Sequence, residues 1–163
     1  MKVKVGLGMI ATVVALAAPS AANAAILTYG GSIAGGTAES KIAVDVKVSR
    51  KGVIKKVTEL RAVEIPINCE QSGAQTAYTT IPVSLPVDGK GRFSFEYTDP
   101  VYGNTSSING VFKPNGRAIA GRFVYANHFP AEGGLPEEDC ASPLLGFKVK
   151  LGGADVIPPS RSR

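Results

Sequence analysis

The residues able to do chemistry are few and poorly placed for it. The single histidine, His128, sits in Tyr125-Ala126-Asn127-His128-Phe129, and no Gly-x-Ser-x-Gly elbow occurs anywhere. A small hydrolase would need His128 to meet an acid and a nucleophile across a loop, so this reading ranks last. Four acids follow it, Glu132, Glu137, Glu138 and Asp139. Calcium loops space their ligands at alternating positions around a glycine turn, whereas three of these are consecutive and cannot all address one ion. The expectation is a solvated acidic loop, with no metal, no catalytic residue and no cofactor. Cys69 and Cys140 have 70 residues between them. A redox pair favours a close Cys-x-x-Cys, so these two read as one structural disulfide in an oxidising compartment.

Charge is the remaining chemical signal. Between positions 41 and 61, Lys41, Lys47, Arg50, Lys51, Lys55, Lys56 and Arg61 stand against Asp45 and Glu59, a net +5 in 21 residues. Lys47, Arg50, Lys51, Lys55 and Lys56 are the candidate contacts for an anionic envelope polymer. The competing reading is a solvated face whose lysines keep a sheet edge from pairing with other chains. Nucleic acid is not an expected partner, because 16 cations against 13 acids after position 24 is only a mild excess.

The compartment is read from the first 24 residues. Lys2 and Lys4 form a basic start, 6–18 an apolar stretch, and Ala22-Asn23-Ala24 a small-x-small cleavage site. The apolar stretch is too short for a good membrane span. The expectation is a signal peptide over 1–24 and a secreted or extracytoplasmic protein that does not span a membrane. One domain then covers 25–157, with a frayed tail over 158–163.

The elements that must position these residues read as strands. Ile42, Val44, Val46 and Val48 alternate with polar residues, the period of a half-buried strand. From Val53 to Cys69 the apolar phase changes at Leu60 and returns at Val63, which calls for a bulge near Thr58–Ala62. Pro82 and Pro86 make Tyr78–Val87 an edge strand. Phe93, Phe95 and Tyr97 form a core-facing row. Ile108-Asn109-Gly110-Val111-Phe112 and Ile119-Ala120-Gly121-Arg122-Phe123 repeat an I-x-G-x-F pattern around Pro114-Asn115-Gly116, a hairpin whose glycines admit a neighbouring ring or backbone. Residues 127–143 read as irregular, and Leu144–Leu151 as the last strand. The fold class is all-β: a single antiparallel β-sandwich or small β-barrel of about eight strands with one disulfide.

The chain after position 24 resembles a group of small exported actinobacterial-type β-rich proteins of unknown function with two cysteines. The resemblance rests on Tyr29-Gly30-Gly31, Cys69, Gly91-Arg92-Phe93-Ser94, the hairpin pairs Gly110/Phe112 and Gly121/Phe123, and Cys140. Phe147 stands where the group carries a late tryptophan. It implies an antiparallel domain with one disulfide and brings no activity with it. The leading functional expectation is a non-enzymatic binding or surface module of the cell envelope, contacting an anionic polymer or a protein partner. The alternative is a small apolar-ligand carrier, should the sheet close around a cavity.

Overall fold

The computed structural model describes residues 25–132 and 136–153. The expected signal peptide over 1–24, the domain end at 157 and the tail over 158–163 lie outside the described residues. Ten strands form one antiparallel sheet: β1 Ile26–Ala34, β2 Lys41–Val48, β3 Ile54–Cys69, β4 Gly73–Pro86, β5 Arg92–Thr98, β6 Thr105–Phe112, β7 Ala118–Val124, β8 Ala126–Phe129, β9 Glu138–Ala141 and β10 Leu145–Leu151. The order is β5-β6-β7-β10-β1-β2-β3-β9-β8, and β4 pairs the other side of β3. The fold is therefore all-β, and its ladder does not close. The strands number more than the eight or so expected because β8 and β9 form within the 127–143 stretch that reads as irregular.

The sheet curls over one core. Ile42, Leu60 and Ala62 from β2 and β3 line the same space as Phe95, Ile108 and Phe123 from β5 to β7. Strands with one buried face fix their register strongly, because a one-residue slip would turn every apolar side chain outward. On β2 the residues Ile42, Val44, Val46 and Val48 are buried as the alternation requires. β4 pairs β3 alone, the edge position that Pro82 and Pro86 demand. The aromatic row on β5 differs from expectation. Phe93 is buried, but Tyr97 is half exposed because β5 runs past the end of the core.

β3 contains two irregularities against β4, between Val57 and Glu59 and between Ala62 and Ile65. The first lies where the phase change placed a bulge. The second takes Val63 off the core face, so that it pairs with Lys41 and leaves Ile65 and Ile67 to the interior. Glu64 adopts φ 50° within it, a strained conformation for a side-chain-bearing residue. Ser40, fully buried, holds the bulge from the neighbouring turn. Its hydroxyl donates to the Glu64 carbonyl at 2.6 Å and accepts from the Thr37 N–H at 2.8 Å. Removing that hydroxyl takes one partner each from the half-buried Glu64 carbonyl and the Thr37 N–H. Ser40→Ala should therefore lower stability by about 2 kcal/mol in chemical denaturation; an unchanged midpoint would show that Ser40 does not hold the bulge.

Tyr29, from the Tyr-Gly-Gly stretch, joins distant elements. It is 1% exposed, donates from Oη to the Gly116 carbonyl at 2.7 Å, and meets the Phe112 ring edge-on at 5.6 Å. The turn it caps is the Asn115-Gly116 hairpin, where Gly116 takes φ 65°.

Candidate functional site

The basic hairpin is the turn between β2 and β3. Ser49 closes it by accepting from the Val53 N–H on its hydroxyl and the Gly52 N–H on its carbonyl, and Gly52 supplies φ 74°. Lys47 on β2 lies directly opposite Lys56 on β3. Like charges facing across a ladder are unfavourable, by a few tenths of a kcal/mol or more, so neither folding nor packing selects this pair. The next register partners are Val48 and Ile54, which leaves Lys55 without a partner on β2. Such a bulge re-aims its side chain. Lys47, Lys55 and Lys56 consequently line one open groove with Ser49 and Ser84, floored by Val48 and Pro86. Lys56 Nζ donates to Ser84 Oγ at 2.8 Å. No carboxylate lines the groove.

The other charges of the segment behave differently. Arg50 and Lys51 are exposed on the turn, beyond the groove. Arg61 is not part of a solvated basic face. It is 2% exposed and is clasped by Asp45 at 2.9 Å and Glu59 at 3.0 Å. Both acids of the segment are thus engaged by Arg61, and the groove lysines keep their charge uncompensated by them. Ser84 belongs to the groove but stands far along the chain, with no signal to join it to the hairpin.

His128 lies on β8 against the run on β9. Its Nδ1 is 2.9 Å from Asp139 Oδ1 and its Nε2 is 2.9 Å from Glu137 Oε1. Tyr102 stacks on the ring at 3.5 Å, and Asn104 Nδ2 donates to Asp139 Oδ1 at 2.7 Å. An imidazolium can donate to both carboxylates and a neutral ring to only one. The Asp139 hydrogen bond, more than the opposing burial and the Glu137 contact, therefore raises the His128 pKa above its ordinary value. The Asp139 pKa falls, through Asn104 first and His128 second. With both nitrogens facing carboxylates, neither is aimed at a hydroxyl.

Glu138 points the opposite way from its neighbours, as alternation along β9 requires. Its carboxylate accepts from the Gln71 and Ser72 N–H groups at 2.8 and 2.9 Å and from the Ser72 hydroxyl, which together lower its pKa, the hydroxyl most. The acidic loop expectation is corrected here: the three consecutive acids sit on or beside a strand and each has a hydrogen-bonding task. Glu138 also approaches Cys69 and Cys140, but those sulfurs are bonded to each other.

These shifts fix a pH dependence. His128, raised, contributes stability that is complete below about pH 6.5 and lost as pH climbs through its folded value. Asp139 and Glu138, lowered, contribute above about pH 4 and lose it as pH falls through their folded values. The melting temperature should therefore peak in mild acid, and His128→Gln should remove the alkaline decline. An equal difference between variant and parent at pH 5.5 and pH 8.5 would refute the assignment to His128.

The space between the two halves of the sheet, lined by Ile42, Leu60, Ala62, Phe95, Ile108 and Phe123 among others, holds a cavity of about 40 Å³. Pockets for small ligands start at roughly 300 Å³. No helix among the described residues is long and apolar enough to cross a membrane. No protein-family model, curated protein or solved structure matches this chain.

Proposed function

We propose that this protein is an extracytoplasmic, non-enzymatic β module that holds an anionic polymer of the cell envelope at the groove formed by Lys47, Lys55 and Lys56. The observation that carries the reading is the lysine pair facing across β2 and β3, joined by a third lysine that a bulge turns to the same groove. An arrangement that costs the fold something and gathers cations without acids suits a polyanion. The export reading of residues 1–24 agrees with a disulfide and with envelope partners. The turn between β2 and β3 is exposed at Arg50, Lys51 and Gly52, which leaves the groove beside it reachable.

The carrier alternative is weaker because its cavity, about 40 Å³, has room for only a few water molecules. The hydrolase reading is weaker because His128 has both nitrogens committed to Glu137 and Asp139. The test is a triple variant, Lys47→Gln, Lys55→Gln and Lys56→Gln, titrated against polygalacturonate. Three exposed ion pairs at about 0.5 kcal/mol each predict roughly tenfold weaker binding. Binding should also weaken with added salt. Unchanged affinity in the folded triple variant would end this reading.

A further inference from the structure

Antiparallel strands alternate in direction, so the turns that join β1 to β7 fall at two ends of the sheet. The β2–β3, β4–β5 and β6–β7 turns, over 49–53, 87–91 and 113–117, share one end. The β1–β2, β3–β4 and β5–β6 turns, over 35–40, 70–72 and 99–104, share the other. Charge divides the same way. The first three carry Arg50, Lys51, Lys90, Lys113 and Arg117, all exposed, against the single acid Asp88, which Arg92 engages at 2.8 Å. The other three carry Glu39, Glu70 and Asp99 and no lysine or arginine. Reading along the chain hides this, because basic and acidic turns alternate.

Backbone bonds and packing draw the basic turns together. The Val87 N–H donates to the Lys55 carbonyl at 3.2 Å, and the Phe112 N–H to the Gly91 carbonyl at 2.9 Å. Ile54 Cδ1 comes within 3.9 Å of where a Cβ on Gly116 would stand, and the Leu151 N–H donates to the Arg117 carbonyl at 3.0 Å. Three large apolar side chains are exposed at this same end. Val53, on the β2–β3 turn, is 52% exposed; Ile26, where β1 begins beside that hairpin, 54%; and Leu151, where β10 ends, 40%. We propose that this end docks on the surface of an anionic lipid bilayer. Its cations meet the headgroups, and Ile26 and Val53 enter the boundary between headgroups and acyl chains. Cations spread over three turns suit a plane better than a single linear chain, and a polysaccharide offers Ile26 and Val53 no apolar phase to enter. The docking stands apart from the groove reading, since Lys47, Lys55 and Lys56 lie on β2 and β3 and not on the turns.

The test sediments the purified protein with vesicles of phosphatidylcholine alone and with vesicles of phosphatidylcholine and phosphatidylglycerol in equal parts. The parent should sediment with the second kind only. Each cation at an anionic lipid surface is worth roughly fivefold in affinity. Arg50→Gln with Lys51→Gln should therefore bind the anionic vesicles roughly thirtyfold more weakly. Ile26→Thr with Val53→Thr keeps the charge and the β-branched shape. It should bind them roughly tenfold more weakly, through lost apolar burial, and bind polygalacturonate like the parent. Circular dichroism melting confirms that each variant is folded. No sedimentation with anionic vesicles, equal sedimentation with both kinds, or a threonine variant that sediments like the parent overturns the bilayer as partner. Salt-sensitive self-association without vesicle binding overturns it too, and gives this end to the acidic turns of a second copy. In any of these cases, polygalacturonate binding that weakens in the Lys47, Lys55 and Lys56 variant leaves the groove reading standing. Polygalacturonate binding that is the same in that variant as in the parent ends the groove reading alone.

Discussion

Gly121→Ala is expected to lower stability by about 3 kcal/mol, the upper end for overpacking, or a fall of roughly 10 °C in melting temperature for a domain of this size. Gly121 and Gly110 are register partners on β7 and β6. Over them lie the rings of Phe147 and Phe93: a Cβ built at either glycine would come within 2.5 Å of the ring's Cζ. At Gly121 it would also strike the Asn109 carbonyl, which is backbone and cannot swing aside. The ring and the ladder would both have to move. Gly89→Ala is the control, because a Cβ there meets nothing within 4 Å and the backbone is not in the left-handed region. A Gly121→Ala melt indistinguishable from that of Gly89→Ala would show that the aromatic-over-glycine packing is dispensable.

Loss of the disulfide should have an effect at least as large. Cys69 and Cys140 are register partners at the end of β3 and in β9, with Cα atoms 4.0 Å apart and a sequence separation of 71. Closing a loop of that length removes chain entropy worth about 4 kcal/mol from the unfolded state. The bond also fixes the β8–β9 hairpin, which touches the main sheet through few other ladder positions: β3 and β9 pair only at Asn68–Ala141 and Cys69–Cys140. The double variant Cys69→Ala, Cys140→Ala should melt more than 10 °C lower. Reductant should bring the parent protein to the same midpoint. A double variant that melts with the oxidised parent would contradict this view of the bond.

Much of the fold is legible in the sequence because its signals are local. Period-two alternation marks β2, prolines mark the edge strand β4, and Asn115-Gly116 marks the β6–β7 hairpin. The close approach at Gly110 and Gly121 is also legible, since a glycine between two large residues on one face leaves room that something must fill. The second bulge of β3 is not. Its cause is the tie between Ser40 and the Glu64 carbonyl, 24 positions apart. β8 and β9 escaped because strands of four residues carry too few alternations to read.

The candidate site was legible in part. Charge counting along the chain finds the hairpin lysines but treats Arg61 as one of them, because burial against Asp45 and Glu59 depends on pairing. Outside positions 41–61, after residue 24, acids outnumber cations by 11 to 9. Several of those acids are engaged elsewhere, Glu137 and Asp139 with His128 and Asp88 with Arg92. Counting by segment averages over surfaces that the sheet keeps apart.

The proposed ligand is a polyanion of the cell envelope. The most direct measurement incubates the purified protein with envelope polysaccharide from its own cells, separated into anionic and neutral fractions, and follows binding across a salt series. Retention by the anionic fraction alone is expected, with release as salt rises and roughly tenfold weaker retention in the Lys47, Lys55 and Lys56 triple glutamine variant. Equal retention by the neutral fraction, or salt-independent retention that survives in the triple variant, would contradict it.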